Sequence, residues 1–124
     1  MIILLDTHAL VWALEASPRL STTARDVIED SANTVLVSVV SAWEMQIKQA
    51  LGRLATPDNL EDVIEAAGFL KRLVTFADVR HLRALPAHHK DPFDRMLVAQ
   101  AIEEGAPLVS ADPQIARYPI QVIW

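Results

Sequence analysis

A chain of 124 residues with 52% apolar side chains has the size of one domain with one core, expected to span residues 1–124. The absence of cysteine excludes disulfides and thiolate metal sites, and no apolar run approaches the roughly 18 residues of a membrane span. A net charge of −5 argues against broad electrostatic binding to nucleic acid, but it leaves local binding open, above all if cations sheathe some of the acids.

Ile2 to Leu5 is short, aliphatic and without alternation, the pattern of a fully buried strand. Met1 to Leu5 also lacks the basic region of a signal peptide, so a cytoplasmic location without membrane contact is expected. Thr7 to Ala16 carries Ala9, Leu10, Ala13 and Leu14 on one helical stripe, broken at Ser17-Pro18. Ser21 suits the N-cap of a second helix carrying Ala24, Val27 and Ile28. Thr34 to Val40 is β-branched and apolar, a second buried strand. From about Ser41 a third helix is predicted, with Trp43, Ile47, Ala50 and Leu51 on its apolar face and Gly52 at its end.

Asp58 is expected to cap a helix from Asn59 to Ala67, closed by Gly68. Leu73 to Phe76 reads as a short strand, Ala77 to Leu85 as a short helix and Pro86 to Lys90 as a loop. Asp91-Pro92 opens a strong helix, Phe93 to Glu104, which Gly105 ends with Pro107 just beyond. Leu108-Val109 and Gln121 to Trp124 supply the last strands. Aliphatic strands alternating with helices predict an α/β domain, a central parallel sheet of about four to five strands flanked by helices. Ligands of such sheets collect at the carboxyl ends of the strands.

Asp6 and Asp112 fall at such ends, and Glu44 and Asp94 lie inside otherwise apolar helical patterns. Each has an ordinary explanation. Asp6 and Asp112 can cap helices, the latter with Pro113 following; Glu44 can pair with Lys48 on a helix surface. Asp91 suits the N-cap and Asp94 the third position of the helix that Pro92 opens, where a carboxylate favours the dipole. Together, however, four converging carboxylates repel one another strongly unless a divalent cation neutralises them. Oxygen-only ligands favour Mg²⁺, with Mn²⁺ as a substitute.

The joint pattern resembles the PIN-domain family of small metal-dependent ribonucleases, over essentially the whole chain. The matching segments are Leu4-Leu5-Asp6-Thr7-His8-Ala9-Leu10, Val37-Ser38 leading to Trp43-Glu44, Asp91-Pro92-Phe93-Asp94-Arg95 with Ala99-Gln100-Ala101, and Leu108-Val109-Ser110-Ala111-Asp112. Within that family the chain looks most like VapC-type toxins of bacterial toxin–antitoxin pairs, being a bare catalytic domain. The resemblance implies Asp6, Glu44 and Asp94 as principal acidic ligands of Mg²⁺ and Asp112 as the fourth, more variable one. Thr7 and Ser38 or Ser41 would hydrogen-bond the ligands, Ser110 stands where a threonine is frequent, and Asp91 is an accessory acid or only a helix cap.

The implied reaction is hydrolysis of an RNA phosphodiester, leaving a 3′-hydroxyl and a 5′-phosphate. Lys48, Lys90 and Arg95 are candidates for holding phosphates, as is Arg53, although Lys48 and Arg53 suit a solvated face equally. His8, His88 and His89 are placed outside the catalytic set, because His88 and His89 are adjacent and their side chains should diverge. The implied partners are a small antitoxin covering the active site and a second copy in a homodimer. Trp12, Leu14 and Leu20 could line an apolar groove for such a partner or belong to the core.

Two enzyme classes fit less well. An Asp-nucleophile phosphoryl-transfer enzyme wants a second Asp where His8 stands, and a receiver domain wants a phosphorylatable Asp after a middle strand, where Val39 to Ala42 offers none. The non-enzyme alternative is a catalytically silent PIN-like module that binds RNA or protein.

Overall fold

The computed structural model describes residues 1–124. In chain order the elements are β1 (Ile2–Leu5), α1 (Thr7–Leu14), α2 (Thr22–Glu29), β2 (Thr34–Ser38), α3 (Val39–Ala50), α4 (Leu60–Ala66), β3 (Leu70–Arg72), α5 (Phe76–Leu82), α6 (Pro92–Glu104), β4 (Leu108–Val109) and β5 (Val122–Ile123), with a 3₁₀ turn at Ile115–Arg117. The five strands are all parallel, in the order β3-β2-β1-β4-β5. The chain thus begins at the centre, builds outward through β2 and β3, and crosses back to add β4 and β5.

Successive strand residues face opposite sides, so the sheet separates two cores. Ile3, Leu5, Val35, Val37, Val109 and Ile123 pack with Ala9, Leu10, Met45 and Ile64 on one face. Leu4, Leu36 and Leu108 pack with Leu97, Val98, Ala101, Ile115 and Tyr118 on the other. Burial on both faces explains why the strands read as unbroken aliphatic runs.

Helix boundaries follow local chemistry. Asp6 caps α1, Ser21 caps α2, and Asp91 caps α6 with Pro92 in its first turn. Gly105 closes α6 in the left-handed region at φ 61°, where a side chain would be strained. Asn59 rather than Asp58 precedes α4.

Three expectations are corrected. α3 begins at Val39, because the Ser38 hydroxyl accepts the Val40 N–H and ends β2 there. The third strand lies at Leu70–Arg72, not Leu73 to Phe76. It is an edge strand, which needs little apolar content, while Leu73, Val74 and Phe76 stay exposed. Finally, α3 faces inward with Val40, Ser41, Glu44 and Met45, whereas Trp43 and Leu51 are each 62% exposed. Its apolar stripe points away from the core.

Candidate active site

Leu5 pairs with Val37 on one side and Val109 on the other. The residues one step further along three adjacent strands are therefore Asp6, Ser38 and Ser110. This is the point where the strand order reverses, the place at which parallel α/β sheets hold ligands. α3 and α6 bring Glu44 and Asp94 toward the same end.

Asp6 is buried, and its Oδ1 accepts the Ala9 N–H at 2.8 Å. Burial pushes its carboxyl above the usual range, hydrogen bonds from Ser110 and Ala9 oppose this, and the charge of Asp112 adds to it. The cap of α1 therefore lies at the carboxyl end of β1.

Glu44 is buried on α3, at 3% exposure. The Thr7 hydroxyl donates to its Oε1 at 2.6 Å and lies 3.1 Å from the Ser41 hydroxyl. Lys48 Nζ stands 2.7 Å from Oε2. The i,i+4 pair expected on a solvated face is present, but its acid points inward and only the lysine reaches solvent. The reason for Glu44's burial is not the flanking Trp43 and Ile47, which are exposed, but its polar partners on α1 and α3.

Asp94 is the most perturbed acid, its carboxyl pushed up to about 7. Desolvation is the main cause, followed by the negative charges of Asp91 and Glu44; His89 offsets part of this, and Asp6 adds to it. Asp91 itself spends one oxygen on the helix: Oδ1 accepts the Phe93 N–H at 2.8 Å and the Asp94 N–H at 3.2 Å. Asp112 accepts the Gln114 N–H at 2.8 Å, and its own N–H donates to the Ser110 hydroxyl at 3.0 Å.

The four acids expected from the sequence lie near enough for their charges to couple, Asp94 feeling Glu44 and Asp6, and Asp6 feeling Asp112, but only Asp94 and Asp112 bring carboxylate oxygens within 4.8 Å of each other and of His89. Thr7, Ser41 and Ser110 stand among them, while Ser38 serves the start of α3. Arg95 turns aside: its Nη1 donates to the Pro86 carbonyl at 2.9 Å and to the Tyr118 hydroxyl at 3.2 Å. Lys48 lies at the rim beside Glu44, and Lys90 and Arg53 are exposed.

Sequence reasoning missed His89. Its Nε2 lies 2.8 Å from Asp112 Oδ2 and 3.1 Å from Asp94 Oδ2. Potential ligand atoms of His89, Asp94 and Asp112 fall within 4.8 Å of one another, a spacing that suits a metal ion. The two adjacent histidines do diverge, His88 packing edge-on to the Tyr118 ring at 5.1 Å. That divergence sends His89 into the pocket rather than excluding it.

The PIN domain family model matches residues 3–121. The chain belongs to the PIN domain family. Among curated relatives, Ribonuclease VapC22 of Mycobacterium tuberculosis is 30% identical over 133 residues, covering 98% of this chain and 98% of its own. Among solved structures, VapBC2 from Rickettsia felis, bound to a DNA fragment from its promoter, superposes with a TM-score of 0.69 at 16% identity, covering 98% of this chain and 97% of that one. VapBC-1 from nontypeable Haemophilus influenzae gives 0.60 at 18% identity, over 98% and 96% of the two chains. FitAcB from Neisseria gonorrhoeae gives 0.59 at 13% identity, over 97% and 95%. These three share the fold of this PIN domain.

Proposed function

We propose that this PIN domain is a divalent-metal-dependent endoribonuclease, hydrolysing RNA phosphodiester bonds as the toxin of a toxin–antitoxin pair. The observation that carries the reading is the convergence of acids at the strand ends, with Asp94 held near neutrality by burial and by its acidic neighbours. Such a cluster suits a cation far better than it suits packing. The full-length relationship to Ribonuclease VapC22 supports the substrate class.

Asp6, Glu44, Asp94 and Asp112 would hold the ion, and their oxygen donors favour Mg²⁺, with Mn²⁺ able to replace it. A bound divalent ion lowers the pKa of a water and offsets charge on a phosphodiester. The protein's own part is to keep the acids in place. The Ala9 N–H orients Asp6, Thr7 and Lys48 hold Glu44, and the Ser110 hydroxyl supports the turn into Asp112. Lys48 and Lys90 are assigned to the RNA phosphates; Arg95 is given instead to holding the loop at Pro86 and Tyr118. The products would carry a 3′-hydroxyl and a 5′-phosphate.

The VapBC names of two structural neighbours support a small antitoxin as partner. Trp12 and Leu14 pack partly against the core and Leu20 is buried within it, so they offer that partner little free surface. The exposed stripe of Val39, Trp43, Ile47 and Leu51 along α3 supports a homodimer. No helix is long and apolar enough to cross a membrane, and an RNA substrate suits work in the cytoplasm.

The test is cleavage of an RNA oligonucleotide with Mg²⁺. Asp6→Asn and Asp94→Asn should each abolish it while circular dichroism shows an intact fold. Full activity in both variants, or in excess EDTA, overturns the proposal. A silent RNA- or protein-binding module would instead show no Mg²⁺ uptake that Glu44→Gln removes, as read by calorimetry.

A further inference from the structure

Between Ile3 and Val11 every residue is buried except His8. Its ring stacks on Trp12, one turn further along α1, with centroids 5.5 Å apart and planes 29° from parallel. Trp12 in turn meets Trp124 at 5.7 Å, tilted by 56°. Trp12 is half-buried, whereas His8 and Trp124 are exposed.

The aromatic stack lies at the same end of the sheet as the acids. Leu5, Val109 and Ile123 are in register on β1, β4 and β5. The next residues, Asp6, Ser110 and Trp124, therefore stand at three neighbouring strand ends. His8 is two residues beyond Asp6, close enough for its charge to reach that carboxylate. Trp12 covers the face of the His8 ring that looks down α1. The free face is turned toward the helix N-terminus, which Asp6 caps.

We infer that His8, backed by Trp12, is a platform on which an unpaired RNA base stacks beside the acidic pocket. The inference takes its ligand, RNA, from the ribonuclease reading above and adds where a base is held. Aromatic rings, histidine included, receive bases that stand free of a helix, and every base has a π-face to offer. A net charge of −5 argues against gripping RNA by a broad basic surface, and a cation among the acids draws only the phosphate at the cut. A base on His8 fixes the nucleotide attached to that phosphate. Trp12 and Trp124 restrain the imidazole beforehand, so little rotamer freedom is lost when a base settles on it. The ring acts through its face rather than its nitrogens, which keeps it outside the cleavage chemistry. Duplex bases are already stacked on one another, so the platform selects unpaired segments.

Fluorescence anisotropy of a labelled single-stranded RNA, in chelator so that the strand stays whole, tests this with the full chain. His8→Leu should weaken binding about 5-fold or more. His8→Phe keeps a flat ring without nitrogens and should bind as wild type does. His8 is exposed, so circular dichroism should be unchanged in both variants. The RNA is then made with one base removed at a time. At one position the loss seen in wild type should vanish in His8→Leu, because ring and base are two halves of one contact. The proposal is overturned by absence of RNA binding in wild type, by equal binding in His8→Leu, or by losses that add at every position. A loss in His8→Phe as large as in His8→Leu also overturns it, the nitrogens then being what matters. So does a His8→Leu protein that binds RNA normally but changes in sedimentation velocity, since the ring then serves a protein contact. Cleavage in Mg²⁺ separates this inference from the reading it rests on. If wild type holds RNA on His8 yet leaves it uncut, the nuclease reading fails and the platform stands. If His8→Leu cuts RNA with unchanged KM and kcat, the platform fails and the nuclease reading stands.

Discussion

The Thr7 hydroxyl reaches from the first turn of α1 to donate to Glu44 Oε1, 2.6 Å away on α3. Glu44 is buried, and its other oxygen pairs with Lys48, so this hydroxyl completes its polar surroundings. Thr7→Val keeps the shape and deletes the donor, leaving a buried acceptor unpaired at a cost of about 1–3 kcal/mol. Urea denaturation should register that loss, and Thr7→Ser should recover most of it. Equal stability of Thr7→Val and wild type would show the bond to be dispensable.

Asp94 makes stability depend on pH in the direction opposite to a salt-bridged acid. Its folded pKa, about 7, lies above the ordinary 3.8. As pH rises between those values the unfolded chain gives up its proton first, so folding stability falls across that window. In chelator, Asp94→Asn should match wild type near pH 4, exceed it in thermal stability increasingly up to about pH 7, and keep a constant advantage above that. A pH-independent difference between the two proteins refutes the assignment. The same proton competes with a cation, so Mg²⁺ affinity should drop as pH falls below about 7.

Arg72 clamps the fully buried Asp78 with Nη2 at 2.6 Å and Nη1 at 2.8 Å, and its Nε meets Glu104 at 2.6 Å. Burial pushes the Asp78 carboxyl up, but hydrogen bonds from Arg72, Thr75 and Gln100 bring it below its ordinary value. Its contribution to stability is therefore full above the unfolded pKa and lost as pH falls through the lower folded one. Arg72→Ala strands this charge and should cost about 3–5 kcal/mol at neutral pH in a denaturant titration. Cleavage per folded molecule should stay the same, because the hydrogen bonds and ion pairs of Arg72 and Asp78 involve none of the four acids.

The exposed stripe on α3 places Val39, Trp43, Ile47 and Leu51 at four-residue intervals. If this surface joins two copies, Ile47→Asp should shift the protein to a monomer in sedimentation velocity while leaving its circular dichroism unchanged. A dimer that survives this substitution, or a wild type that is already monomeric, removes the homodimer from the proposed function.

Local chemistry made much of this protein legible in its sequence. The buried strands at Ile2–Leu5 and Thr34–Ser38 announce themselves by unbroken aliphatic runs, and α6 by Asp91-Pro92 at one end and Gly105 at the other. Asp6 and Asp112 stand out because the strand that precedes each one ends nearby, and a strand's carboxyl end is a local property. Edge strand β3 was misplaced because its pairing with β2 comes from register rather than composition. The helical face of α3 was misjudged for a related reason. Periodicity finds an apolar stripe, but only packing decides whether the stripe or the opposite, polar side meets the core.

Tertiary structure alone decided how the acids are accompanied. Nothing near Glu44 in the chain points to Thr7, 37 residues away, as its donor. His89 is 23 residues from Asp112, and its adjacency to His88 gives no sign of which of the two turns toward the acids. A hydrogen bond is set by distance and direction in space, and these pairs form only when the sheet order brings β1, β4, α3 and α6 to one end. The sequence by itself determined which carboxylates are candidates; the fold determined what surrounds them, and that one imidazole stands between two of them.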